Sequence, residues 1–203
     1  EDALFICDAG TGARELGQSL LKRFDGPIVG HIFFSHSHWD HIQGFPFFTP
    51  AYLEANTFYV YSPHIGDTKM YDLLSGQMRS EYFPVNFGDL GAHIVASDLA
   101  DSNRVIEGVK VSFLEQDHPG GSYAFKFESQ GNTLVYATDT ELDAILTNRD
   151  ETLVDFQAIR RFPKEYIEFA QGADLLICDS QYFDDEYPEK EGWGHPRANT
   201  AAD

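Results

Sequence analysis

The sequence lacks any run of about 18 apolar residues, so it offers no segment that would cross a bilayer as a helix. It is nearly devoid of cysteine. Cys7 and Cys178 are the only two among 203 residues, and each lies in an apolar segment, which points to two buried, reduced thiols and away from a disulfide scaffold. Positive charge is scarce as well. Against 33 Asp and Glu stand 14 Lys and Arg, a formal charge of -19, and no basic stretch makes a footprint for a long polyanion such as DNA or structured RNA. A basic leader is missing too: residues 1–7, EDALFIC, read as a strand and not as a signal peptide. The sequence starts abruptly in that strand and stops abruptly at NTAAD. The expectation is a cytoplasmic chain trimmed at both ends, with no membrane partner.

What is present is ordinary globular material. A 42% hydrophobic and 14% aromatic composition supports a sizeable core, and no linker, low-complexity tract or charge block divides residues 1–203, so a single domain is expected. Residues 3–7 read as a strand, followed by a Gly-rich turn and a helix with apolar positions Leu16, Leu20, Leu21 and Phe24, for which Thr11 is the candidate cap. Further strands are expected at 30–35, 57–62, 109–116, 122–129 and 132–139, and a buried one at 173–180. Helices are expected at 66–78, with Asp67 near its start, over most of 155–172 with a break at Pro163, and from Arg197 onward. Pro46 and Pro50 prevent one long helix in the Phe-rich stretch after residue 44. Strands alternating with helices indicate a layered α/β fold.

One stretch stands out. FFSHSHWDHIQG, residues 33–44, packs His36, His38, Asp40 and His41 into six positions directly behind an apolar strand. Imidazole and carboxylate ligands suit zinc, iron or manganese. His36 and His38, two apart on an extended segment, point the same way, and Asp40 and His41 follow once the chain has turned, as a second metal would need. A polar surface loop with incidental histidines is the bland alternative; the density of ligand types at a strand end argues against it. Four ligands do not complete two coordination spheres. His118 in LEQDHPGG and Asp139 in VYATDTE each lie just past a strand, and Asp139, a carboxylate, is the candidate bridge. Taken alone, the first would be a turn histidine and the second a loop or cap residue.

His-x-His-x-Asp-His followed by a strand-end His and a strand-end Asp resembles the metallo-β-lactamase superfamily over essentially the whole chain. The resemblance implies an α/β, four-layered αβ/βα sandwich with a dinuclear centre of two divalent ions, zinc foremost and manganese or iron otherwise. It implies His36, His38 and His118 on the first metal, Asp40 and His41 on the second, and Asp139 between them. Asp8 in CDAGTG matches an early aspartate that supports the histidine loop by hydrogen bonds without being a ligand. ADLLICDSQYFDDEYPEKEGWGH, 173–195, resembles the phosphodiesterase-like branch, related to cyclic-nucleotide and cyclic-phosphate phosphodiesterases and more distantly to ribonuclease Z. A Gly-His-Ser-Thr tetrad is found there; here Gly194-His195 match and Pro196-Arg197 replace Ser-Thr. A last ligand histidine would follow beyond Asp203, and a first hairpin would precede residue 1.

These implications make His195 and Asp40 the candidate catalytic residues. His195 would protonate a leaving group, or else substitute as a metal ligand or merely pack in its loop, and Asp40 would also orient an attacking hydroxide bridging the metals. The expected substrate is a small (cyclic) phosphodiester: bound cations would invert the local field for a phosphate while the acidic exterior disfavours long nucleic acid. Arg197 would either touch an anionic substrate or face solvent, and Phe45, Phe47, Phe48, Tyr182 and Trp193 either wall a pocket or belong to the core. Alternatives are hydrolysis of a lactone, thioester or β-lactam, a catalytically silent binding or sensor domain, and an iron-dependent redox enzyme with a flavin partner. A homodimer is left open. His31, at the start of a strand, is expected to pack or face solvent, and His64 and His93 to lie on the surface.

Overall fold

Segments whose apolar residues alternate across turn signals become strands in the computed structural model, which describes residues 3–63, 69–99 and 103–203. His64, Asp67 and the first residues of the expected helix 66–78 lie outside these. The chain divides into two compact units, Glu1–Ala100 and Asp101–Asp203.

The first unit holds a parallel sheet in the order β1 (Leu4–Cys7), β2 (Val29–Phe33), β3 (Thr57–Ser62), β4 (His93–Asp98). Side chains alternate across a strand. Ile6, Ile32, Phe58 and Val60 therefore share one face and pack into the core with Leu20 of helix α1 (Ala13–Arg23) and with Phe45, Phe48 and Leu74. Residues of the opposite parity make an aromatic ladder: Phe5 stacks on His31, His31 on Tyr59, and Phe33 on Tyr61. His31 is buried there, its Nδ1 3.1 Å from the Tyr61 hydroxyl. His93 lies exposed on β4, a strand the sequence reading had not singled out.

Thr11 does not cap α1. Gly12 occupies the cap with no side-chain bond, because backbone bonds already close the turn, Ala13 N–H to the Gly10 carbonyl and Leu16 N–H to that of Gly12, both at 3.0 Å. After β2 the chain makes a single helical turn, α2 (Trp39–Ile42), then short 3-10 turns at Phe45–Phe47 and Thr49–Tyr52, as Pro46 and Pro50 require. Helix α3 spans Met70–Gln77.

The second unit holds β5 (Arg104–Ile106), β6 (Val109–Gln116), β7 (Ser122–Ser129), β8 (Asn132–Ala137) and β9 (Leu175–Cys178), neighbours in that order. Pairing is antiparallel up to β8, and β9 lies parallel to β8. The strand at 175–178 is not buried as expected. It is the edge strand in this order, and Leu175, Leu176 and Ile177 are 51%, 46% and 42% exposed. The expected helix over 155–172 shrinks to α6 (Lys164–Ala170), preceded by α4 (Leu142–Ile145) and α5 (Arg149–Val154). Residues between α5 and α6 are instead claimed by side-chain and backbone bonds from Asn148 and Thr147. Asn148 accepts from Arg161 N–H and donates to the Ile159 carbonyl, both at 2.9 Å, and the Thr147 N–H donates to the Arg161 carbonyl at 2.8 Å. Pro163 then opens α6, and Arg197 precedes α7 (Ala198–Ala202), as anticipated for that last helix. Both cysteines are free thiols, and burial pushes both thiols up from their ordinary range.

Close backbone approach fixes the root of the histidine loop. Gly44 N–H donates to the Ala9 carbonyl at 2.8 Å, and a Cβ at Gly44 would overlap the Gly10 carbonyl. Gly76, inside α3, faces open space. Chemical denaturation should therefore separate the two glycines. Gly44→Ala is expected to destabilise by about 1–3 kcal/mol through overpacking, and Gly76→Ala to stabilise by about 0.5–1 kcal/mol through helix propensity.

Candidate functional site

Strand direction collects the chemistry. In the first unit β1 and β2 are parallel, so Asp8 and the 35–41 segment leave the same sheet edge. In the second unit β6 and β8 are both antiparallel to β7, and β9 is parallel to β8. His118, Asp139 and Asp179, each one or two residues past β6, β8 and β9, consequently share one edge, where α/β folds place ligands.

Asp8 organises the first cluster. It is buried and sits at φ 58°, in the left-handed region that Asp tolerates better than most residues. Its Oδ1 accepts from Ser35 N–H at 2.7 Å, and its Oδ2 accepts from the Ser35 hydroxyl and from His41 Nδ1, both at 2.8 Å. A carboxylate accepts and does not donate. The His41 proton is therefore on Nδ1 and its Nε2 carries a lone pair. With its hydrogen given to Asp8, the Ser35 oxygen is left to accept from His36 Nδ1 at 3.0 Å, so His36 is the same tautomer. The His36 ring centroid lies 4.6 Å from that of His38 and 4.2 Å from that of His41. His36 is buried, whereas His38 and Asp40 are exposed, with Asp40 Oδ2 3.4 Å from His41 Nε2.

In the second cluster His118 Nδ1 donates to the Gly194 carbonyl at 2.8 Å, again leaving Nε2 as the ligand atom, 3.8 Å from Asp139 Oδ2. Asp139 also has a left-handed backbone, φ 46°. His195 Nδ1 donates to Asp179 Oδ2 at 2.6 Å. Ligand atoms of Asp139, Asp179 and His195 lie within 4.8 Å of one another. Asp179 carried no role in the sequence reading; its place after an apolar strand, like that of Asp8 and Asp139, was the available signal.

The model for the "Beta-lactamase superfamily domain" matches residues 4–203. The chain belongs to the metallo-β-lactamase superfamily. Its mixed α/β, two-sheet architecture is that of the family's fold, as the motif had implied. Among solved structures of this fold, it is similar to the metallo-beta-lactamase fold protein YhfI from Bacillus subtilis, with 19% identity and a TM-score of 0.59 over 95% of this chain and 64% of that one. It is similar to a diphosphatase from the PhnP family, with 17% identity and a TM-score of 0.60 over 98% of this chain and 62% of that one. Human tRNase Z, short form, gives 18% identity and a TM-score of 0.63 over 98% of this chain and 75% of that one. The chain thus spans less than two thirds of the length of the first two. No curated protein matches it.

The donor set fits the superfamily's divalent ions. Three histidines, His36, His41 and His118, have Nδ1 committed to an oxygen acceptor, which fixes the tautomer and aims Nε2 outward as a ligand, the arrangement metal-binding imidazoles require. Asp8 supports the histidine loop through its hydrogen bonds to Ser35 and His41.

Arg197 departs from the superfamily branch in sequence, and it neither faces solvent nor a substrate. It is fully buried. Asp143 of α4 accepts from its N–H and Nε at 2.8 Å and from Nη2 at 2.7 Å, and the Thr152 carbonyl accepts from Nη1 at 3.0 Å. Thr200 adds its hydroxyl to Asp143 at 2.7 Å. The carboxylate of a distant helix thus supplies the first-turn acceptor that Ser or Thr would provide at the start of α7. Phe45, Phe48 and Tyr182 are likewise buried, while Phe47 and Trp193 are exposed.

Removing the guanidinium would strand a buried carboxylate. Arg197→Ala is expected to cost about 3–5 kcal/mol, and Arg197→Lys to recover little of it because an ammonium lacks the planar fork. Urea unfolding followed by circular dichroism measures both.

Proposed function

We propose that this chain is a metal-dependent hydrolase acting on a small phosphodiester. His36, His38 and His118 would hold one divalent ion, Asp40 and His41 a second, and Asp139 would serve both, with zinc the foremost candidate and manganese or iron the alternatives. Such ions, when bound, supply Lewis-acid charge neutralisation and bring the ionisation of a bound water near neutral pH.

The observation that carries the phosphodiester reading is the Asp179–His195 pair. The 2.6 Å bond fixes the ring and commits Nδ1 to a carboxylate that would stabilise the imidazolium; in that doubly protonated form Nε2 would give its proton to a departing alkoxide and leave the neutral ring bonded to Asp179. His195 is partly buried, its side chain 18% exposed, so the proton donor is shielded without being sealed off. Asp40, exposed at the start of α2, would orient an attacking water as well as ligate. Trp193 is exposed and would be open to stacking on a base, and Lys190 lies with its Nζ 4.2 Å from the Trp193 ring. The similar structures include a protein named as a diphosphatase and one named as a tRNase Z, both acting at phosphorus by name. The formal charge of -19 favours a small substrate over long nucleic acid. Among the described residues no helix is long and apolar enough to cross a membrane.

Side-by-side assays of bis(p-nitrophenyl) phosphate and a lactone panel test this reading. Phosphodiester cleavage that chelation abolishes and zinc or manganese restores is expected; lactone turnover with no phosphodiester cleavage would overturn it. His195→Ala should lower the rate on diesters with alkyl leaving groups by roughly 10²–10⁴. The p-nitrophenyl ester should suffer far less, since its leaving group needs little protonation. Metal analysis of His36→Ala should show about one equivalent less bound ion than the parent chain.

A further inference from the structure

The loop that carries His195 is held by a residue that the proposed reaction leaves unused. Glu141 follows Asp139 by two positions and is 4% exposed. Its Oε1 accepts from the Tyr187 hydroxyl at 2.7 Å and from Gly192 N–H at 2.8 Å, and its Oε2 accepts from Gly194 N–H at 2.8 Å. Its own N–H donates to the Asp117 carbonyl at 2.7 Å. One residue therefore joins the residue before His118 to the loop before His195.

Gly194 completes the connection. Its carbonyl accepts from His118 Nδ1, and the next residue is His195, bonded to Asp179. Gly194 has φ +86°, and a Cβ there would overlap the His118 and Pro119 rings. No other residue type fits against the His118 imidazole and the Pro119 ring, so the peptide is steered through its N–H and its carbonyl. The N–H belongs to Glu141.

We propose that Glu141 is a positioning residue that sets the orientation of His118 and His195 together through the 192–194 backbone. The inference rests on the reading of His118 and His195 as working groups, but its structural core does not need a substrate. Three donors converge on one carboxylate, and charge-assisted bonds of this kind are about twice as strong as neutral ones. A glutamine offers one oxygen and an NH₂. Whichever way it turns, at least one of Gly192 and Gly194 meets a donor instead of an acceptor. In either orientation the 192–194 backbone loses one of its two anchors, and the Gly194 carbonyl, the acceptor for His118 Nδ1, shifts with it.

The test is Glu141→Gln in the full chain, read first by long-range proton–nitrogen correlation of the imidazoles, with and without zinc. The parent chain without zinc should show His118 with its proton on Nδ1. In Glu141→Gln, His118 should become a mixture of tautomers and His195 should shift, while His36 and His41, held by Asp8 and Ser35, keep theirs. Tyr187→Phe, which spares both glycine bonds, should leave all four unchanged; a loss merely of loop packing would move the imidazoles in both variants. Phosphodiester kcat/KM should fall by about 10–100-fold in Glu141→Gln. Unchanged imidazole signals and an unchanged rate in a folded Glu141→Gln chain would overturn the proposal. If the imidazoles shift while the parent chain cleaves no phosphodiester, the hydrolytic reading fails and the positioning role stands. If Glu141→Gln does not fold, the parent chain decides: slow exchange and downfield shifts of the Gly192 and Gly194 amide protons support the role, and rapid exchange of either overturns it.

Discussion

A carboxylate taken out of water is tolerated only when its lone pairs are met, and this chain turns that constraint into construction three times. Asp8, Glu141 and Asp143 are buried, and each gathers at least three donors from segments distant in sequence. Asp8 shapes the histidine loop, Glu141 the loop that ends in His195, and Asp143 the start of α7. None of the three needs a large apolar contact to act. Their geometry is directional, and that suits parts of a fold where side chains must be aimed and not merely covered. Strands supply the rigid bases: Asp8 follows β1, and Glu141 and Asp143 lie in the turn and helix after β8.

The sequence revealed the strands and the ligand-type residues for a physical reason. Period-two apolar segments and the 36–41 cluster are contiguous, so every element of the pattern falls within a few residues. Long-range partnerships are not contiguous. Nothing near Arg197 announces that Asp143, 54 positions earlier, will accept from its backbone and its guanidinium. An Arg at the edge of an acidic loop reads as solvated because the single-residue prior for arginine is exposure. The same limit explains the segment between α5 and α6. Its composition suits a helix, but Asn148 and Thr147 offer its backbone competing partners that no local pattern displays. Glu141 went unremarked for a further reason: it stands in TDTE beside a more conspicuous aspartate, and an acceptor for backbone N–H groups has no sequence signature of its own.

Apolarity misled at β9, where a run of Leu, Leu and Ile was read as interior. An apolar strand is buried only as far as other elements cover it, and position in the sheet decides that. As the edge strand among the described residues, β9 keeps its hydrogen bonds to β8 on one side while its side chains remain 42–51% exposed at three consecutive positions. Hydrophobic pattern thus identified the strand that runs into Asp179, the carboxylate bonded to His195, but not its burial.

The replacement of Ser-Thr by Pro196-Arg197 bears on function because of where it leaves His195. In a strand–loop–helix connection, the residue before the helix takes its position from the cap. Here the cap is external: Asp143 binds the Arg197 N–H, and the guanidinium reaches Thr152 on α5 as well. His195 consequently sits between two anchored points, Gly194 tied to Glu141 and Arg197 tied to Asp143, with its own ring tied to Asp179. Loops ordinarily gain mobility from unmet backbone groups exchanging with water. This one has its backbone donors on both sides of the histidine engaged by buried carboxylates. Were His195 the proton donor proposed above, its placement would gain from a loop ordered before substrate arrives, since binding would not have to supply the ordering. The acidic residues behind the formal charge of -19 thus include those that impose this order.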